Sequence, residues 1–203
     1  MSHTALSDSN ETNRQIEHII PVGFAVFLRW LPPWGAIAIG CVGVAYAAFV
    51  SPWLVSSGLR PHERSLRFIP AKLYYAFAVL LLLIVFRHSL HIAAGAWAML
   101  SVGDGVASLA GARWGGNPLP WNRRKTWGGL AAFVLTGWAS AAVLLVWVGA
   151  RYSAHAMSLP HATVSAFIAA LLTAFVESAP LGQWIDDNLS VPLVAGLILA
   201  ILT

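Results

Sequence analysis

Asp104 stands between two glycines, Gly103 and Gly105, inside an otherwise apolar stretch. A lone carboxylate at bilayer depth costs roughly 2.5–3.5 kcal/mol on insertion scales, so its presence asks for a polar cavity or a counter-charge. Further polar residues gather at three other places. The loop 113–129, RWGGNPLPWNRRKTWGG, carries Arg113, Arg123, Arg124 and Lys125, followed by Thr126 and Gly129. The stretch 177–192, ESAPLGQWIDDNLSVP, carries Glu177, Asp186 and Asp187, with Asn188 alongside. Near the N-terminus Arg14 and His18 are four residues apart, which a helix would place on one face. Phosphoryl chemistry needs these parts: carboxylates for Mg²⁺, cations for phosphate charge, and glycines where the backbone must come close.

The elements that must position them are apolar. The chain has 203 residues, 58% hydrophobic and 10% charged, against about 25% charged in a soluble domain. This composition predicts an integral membrane protein, and its 10 Trp suit interfacial belts. Apolar segments run over roughly 18–29, 34–55, 73–86, 90–112, 127–149, 161–177 and 190–203. The expected fold is all-α, a polytopic transmembrane bundle of about seven spans, or six with the first segment lying at the interface. Residues 1–13 read as a disordered cytoplasmic tail and 14–203 as one membrane domain, with no repeat or linker. Cys41 is the single cysteine, so an internal disulfide is excluded.

Seven alternating spans make the basic residues a test of orientation. One side would carry nine, at Arg14, Arg60, Arg64, Arg67, Lys72, Arg113, Arg123, Arg124 and Lys125. The other would carry three, at Arg29, Arg87 and Arg151. The expectation is a cytoplasmic N-terminus and polar site, with the C-terminus across an inner or cytoplasmic membrane. The net charge of +4 then reports orientation and contact with anionic membrane lipids rather than nucleic acid.

Each feature also has a plainer reading. Asp104 could form a structural ion pair, and the loop cations could touch only head groups. Asp186 and Asp187 could form a solvated turn, with Asp187 or Asn188 capping the last helix. His88 and His91 read as interfacial. The chain has no GxxxxGK[ST] loop and no Cys/His metal cluster. Spacing alone leaves a membrane enzyme and a transporter both open.

The motifs narrow this. GDGVASLAGARWGGNPLPWNRRKTWGG (103–129) resembles the polyprenol kinase family, which includes dolichol, phytol and CTP-dependent diacylglycerol kinases and is related to the phosphatidate cytidylyltransferases. The family pattern is GDxxA, then GxxxG, then K-[ST]-x-x-G. Asp104 and Ala107 match its first part, Gly111 and Gly115 the second, and Lys125, Thr126 and Gly129 the third. ESAP and DDNLSVPL are similar to later family motifs, and RQIEH to an N-terminal R-K-x-x-H, with Gln15 in place of Lys. Leu130 replaces the usual hydroxyl residue after Gly129, and Gly128 a position often Ala or Glu.

The resemblance implies transfer of the γ-phosphoryl of CTP, or another nucleoside triphosphate, to a lipid alcohol. It implies Mg²⁺ held by Asp104 and one or both of Asp186 and Asp187, and Lys125 on the phosphates. Glu177 or one of the Asp pair would accept the hydroxyl proton. Gly103, Gly105, Gly111, Gly115, Thr126, Gly129, Asn188, Arg14 and His18 would line the nucleotide. The related cytidylyltransferases carry a terminal His-Gly-Gly signature that is absent here.

Overall fold

The computed structural model describes residues 15–51, 71–151, 157–180 and 186–203, so Arg14, Arg60, Arg64 and Arg67 lie outside the described residues. Seven α-helices form among them. They are α1 (Pro33–Ala45), α2 (Ala71–Val85), α3 (Leu90–Ala98), α4 (Gly105–Trp114), α5 (Trp127–Gly149), α6 (Leu159–Ser178) and α7 (Asp187–Leu202). A π-helical turn, Met99–Asp104, joins α3 to α4 without a break, and another, Tyr46–Val50, extends α1. No strand forms among the described residues, and the predicted all-α class holds.

Four of these stretches are long and apolar enough to cross a membrane: Pro33–Val50, Leu90–Trp114, Trp127–Gly149 and Leu159–Ser178. Lys72–Val85 and Asp187–Leu202 are apolar but shorter. The first predicted span departs from an α-helix. After a helical turn at 15–19, Ile20–Arg29 winds as a 3-10 helix containing Pro21, which has no N–H to give. At about 2.0 Å rise per residue, that winding reaches further than an α-helix of equal length.

The segments run alternately between two ends of the bundle. His18 lies at Asp104, and Lys72 meets Glu17 at 2.5 Å. Eleven residues beyond His18, the Arg29 guanidinium lies 4.4 Å over the ring of Trp147, near the C-terminus of α5. Arg151 donates to the carbonyl of Leu31 at that same end, and His161 Nε2 donates to Leu202 O. Lys72, Arg113, Arg123, Arg124 and Lys125 thus belong to one end, and Arg29, Arg87 and Arg151 to the other, as the alternation predicts.

The core is formed by α3 with the facing sides of α2, α5, α6 and α7 and the inner residues Ala25 and Leu28 of the 3-10 segment, and it is rich in alanine and leucine. Glycines set the closest approaches. A Cβ on Gly103 would lie 3.4 Å from the Cα of Gly137, and one on Gly105 would come within 2.7 Å of Ile19 Cγ1. A Cβ on Gly129 would lie 3.1 Å from the backbone oxygen of Ala107, which cannot rotate away. Gly129→Ala is therefore expected to push α4 off α5. Overpacking of this kind costs about 1–3 kcal/mol, readable as a lowered melting temperature of the detergent-solubilised protein. An unchanged melting temperature would show that the two helices part freely.

His91, the second residue of the apolar stretch Leu90–Trp114, is only 3% exposed, because α3 is enclosed on all sides by its neighbours. His88, in the preceding turn, is exposed as expected.

Candidate active site

Three features of the chain place Lys125. The helix α4 ends at Gly115 (φ +55°) and Gly116 (φ +96°), a left-handed turn that favours glycine. The chain then folds into a small hairpin, in which Leu119 N donates to Lys125 O at 2.9 Å and Trp127 N to Asn117 O at 3.2 Å. Thr126 ends the hairpin as the N-cap of α5, its hydroxyl accepting from Gly129 N at 3.1 Å.

Two residues that the sequence did not single out pin this hairpin to the end of α6. Trp121 Nε1 donates to Ser178 Oγ at 3.2 Å, and Asn122 Nδ2 donates to Ser178 O at 3.1 Å. Trp121 also packs edge-on against Trp127. Tryptophan and asparagine beside Pro118 and Pro120 were the available signal, and they read as ordinary turn residues.

With the hairpin fixed, Lys125 Nζ forms a close ion pair with Glu177 Oε1 and lies 3.4 Å from Asp187 Oδ2. Glu177 is buried at the last turn of α6, while Asp187 opens α7. Burial alone would lower the Lys125 pKa. The carboxylates of Glu177, Asp104 and Asp187 outweigh it and hold the group above the ordinary lysine value. Lys125 is therefore a cation throughout the neutral range.

Asp104 closes the π-helical turn, with its side chain 16% exposed. Its Oδ2 lies 3.5 Å from His18 Nε2, which is 3.0 Å from Leu100 O. A carbonyl and a carboxylate can only accept, so Nε2 carries a proton facing both. Asp104, Lys125, Glu177, Asp187 and His18, drawn from five separate stretches of chain, thus meet at one end of the bundle.

The other expected residues take different places. Asp186 is the N-cap of α7, its Oδ1 accepting from Asn188 N at 2.9 Å and Asn188 Nδ2 at 2.7 Å. The cap is thus Asp186, where the sequence suggested Asp187 or Asn188. Gly103, Gly105, Gly111 and Gly129 face neighbouring segments, and a Cβ on Gly111 would meet the Thr126 hydroxyl at 3.4 Å. Gly115 borders open space.

Asp104, Glu177 and Asp187 offer hard oxygen ligands, and Asn188 Oδ1 is buried with no hydrogen-bond partner among the described residues. Yet no three His, Cys, Asp or Glu side chains among the described residues form a metal-holding group. The residues fit an ion that arrives on a triphosphate and takes one or two carboxylates, as Mg²⁺ commonly does, better than a dedicated cage.

This chain is 33% identical over 148 residues to a probable chloroplastic phytol kinase of Triticum aestivum, covering 71% of this chain and 48% of that protein. It is 31% identical over 159 residues to a probable chloroplastic phytol kinase 2 of Glycine max, covering 75% and 54%. With the chloroplastic phytol kinase 1 of Arabidopsis thaliana it shares 29% over 130 residues, covering 64% and 42%. The chain spans about half the length of the curated relatives it matches. No family model and no solved structure matches it.

Proposed function

From a chain that belongs with the phytol kinases in the polyprenol kinase family, we propose a membrane-embedded kinase that transfers the γ-phosphoryl group of a nucleoside triphosphate to a lipid alcohol. CTP is the proposed donor, on the motif resemblance, and Mg²⁺ the proposed cofactor. The observation that carries the reading is the ion pairing of Lys125 with Glu177 and Asp187 at the end of an apolar bundle that also holds Asp104 and His18.

Phosphoryl transfer depends on positioning and charge neutralisation more than on covalent chemistry by the protein. Lys125 would exchange its carboxylate partners for phosphate oxygens, with the hairpin 115–126 fixing its reach. Asp104 would hold the metal, which when bound supplies charge neutralisation on the triphosphate. Asp186 would act through the α7 cap rather than by direct contact. Of the proton acceptors, Asp187 is proposed over Glu177, because its side chain is 31% exposed and Glu177's is 4% exposed. The acceptor hydroxyl is held at the interface by its own hydrocarbon tail, which explains why such a site would lie at the end of an apolar bundle. The end carrying Lys125 is proposed to face the cytoplasm, by the excess of basic residues there.

The test uses purified protein in lipid nanodiscs, with CTP labelled at either the α or the γ phosphorus and a panel of phytol-like, isoprenoid and diacylglycerol alcohols. Label from the γ position is expected in the lipid. Label from the α position would indicate CDP-lipid synthesis, and no label with any nucleotide would end the kinase reading.

A further inference from the structure

Beneath Asp104 lies a buried polar network that none of the motifs contains. Tyr75, on α2, is 8% exposed in an apolar surrounding. Its hydroxyl accepts a hydrogen bond from Trp97 Nε1 at 2.7 Å and lies 2.5 Å from Ser101 Oγ. Trp97 is on α3, and Ser101 is fully buried within the π-helical turn that ends at Asp104. The edge of the same tyrosine packs against the His18 ring, with centroids 4.7 Å apart and planes at 66°. His18 in turn faces Leu100 O and Asp104 Oδ2.

We infer that Tyr75 is the positioning residue for Asp104: it holds the π-helical turn through Ser101 and the His18 imidazole through its ring. The inference rests on the kinase reading for its catalytic consequence, though not for its geometry. A π-helical turn is a wide, rarely populated winding that recurs at functional sites, and it needs neighbours to hold it. The Trp97–Tyr75–Ser101 chain crosses from α2 to α3 and into that turn, so it fixes the turn against two rigid helices. A fully partnered polar network in a low-dielectric core is also rigid, because any displacement leaves buried donors without acceptors. The direction of Asp104 thus follows from a residue 29 positions earlier that touches neither nucleotide nor metal in the proposed mechanism.

The experiment has two arms. In the first, protein carrying ¹⁵N-histidine is compared with its Tyr75→Phe variant in detergent micelles, the His18 ring signals being assigned with His18→Gln. The variant keeps the ring and loses only the hydroxyl, leaving the Trp97 N–H without its acceptor. Its His18 ring signals are expected to shift or broaden while the other histidine signals stay in place. Unmoved His18 signals would overturn the inference, and so would shifts spread over all the histidines, which signal general loosening.

In the second arm, the phosphotransferase assay is expected to show kcat lowered about tenfold with KM for the lipid alcohol unchanged, since misplacement of a reacting group acts on turnover. Ser101→Ala is expected to act in the same direction, and the double variant to fall short of the two losses combined. Wild-type kcat in Tyr75→Phe would overturn the inference. If the wild-type protein transfers no label to any lipid alcohol, the functional reading fails by itself and the histidine signals still decide the role of Tyr75.

Discussion

Asp104→Asn is expected to abolish phosphoryl transfer, lowering kcat by about a hundredfold or more, while the protein still purifies and melts as the wild type does. The substitution keeps the shape of the side chain and removes its charge. In the proposed mechanism that charge would hold the metal that neutralises the triphosphate, and loss of one well-placed electrostatic group commonly costs about 10²–10³ in rate. A hundredfold loss corresponds to about 2.7 kcal/mol of transition-state stabilisation. The fold should not suffer, because His18 Nε2 can donate to an amide oxygen as well as to a carboxylate. Turnover of the variant is measured with γ-labelled CTP across a Mg²⁺ titration. Wild-type turnover would remove Asp104 from the site and leave it as a structural partner of His18.

Lys125→Met carries the second large effect, and it must be separated from damage to the fold. Lys125 is the cation between Glu177 and Asp187, so its loss leaves the buried Glu177 carboxylate uncompensated. Removing one partner of a fully buried pair costs about 3–5 kcal/mol; the figure here is smaller because the Lys125 side chain is 29% exposed. A single variant would therefore lose both stability and activity, which decides nothing. The double variant Lys125→Met/Glu177→Gln removes both charges together. Its melting temperature is expected to return towards the wild-type value while transfer stays at least a hundredfold down, since no ammonium then reaches the phosphates. Recovery of turnover in the double variant would show that Lys125 serves only to neutralise Glu177. The raised Lys125 pKa adds a sign: the group stays charged well into alkaline pH, so its contribution to stability is present below its unfolded-state pKa and is lost only as pH rises through the higher folded value.

The helical segments were legible because each is an apolar run bounded by proline, glycine or charge. The seven runs marked in the sequence fall on the segments of the structure within a few residues, residues 52–55 of the second run lying outside the described residues. The partition of basic residues between two ends followed from alternation alone. Asp104, Lys125, Glu177 and Asp187 could be named because charged residues are rare enough in such a chain to stand out. The 3-10 winding of Ile20–Arg29 and the π-helical turn at Met99–Asp104 could not be read, since hydropathy reports how apolar a segment is and not how tightly it winds.

What the sequence determined by itself, then, is an all-α chain with membrane-like helices, their order and alternation, and the short set of polar residues able to do chemistry. Only the tertiary structure decided the partners. It pairs Lys125 with Glu177 and Asp187, residues 52 and 62 positions away. It gives the α7 cap to Asp186 rather than to its neighbours and hides His91. It turns Gly103, Gly105 and Gly129 towards neighbouring segments and sets Tyr75 beneath the site. The physical reason is that these helices are apolar on nearly every side. A soluble amphipathic helix announces its inner face by a stripe of apolar residues, but a helix that is apolar all round has no such stripe. Its rotation is fixed by where small residues let backbones approach, and that depends on two helices at once.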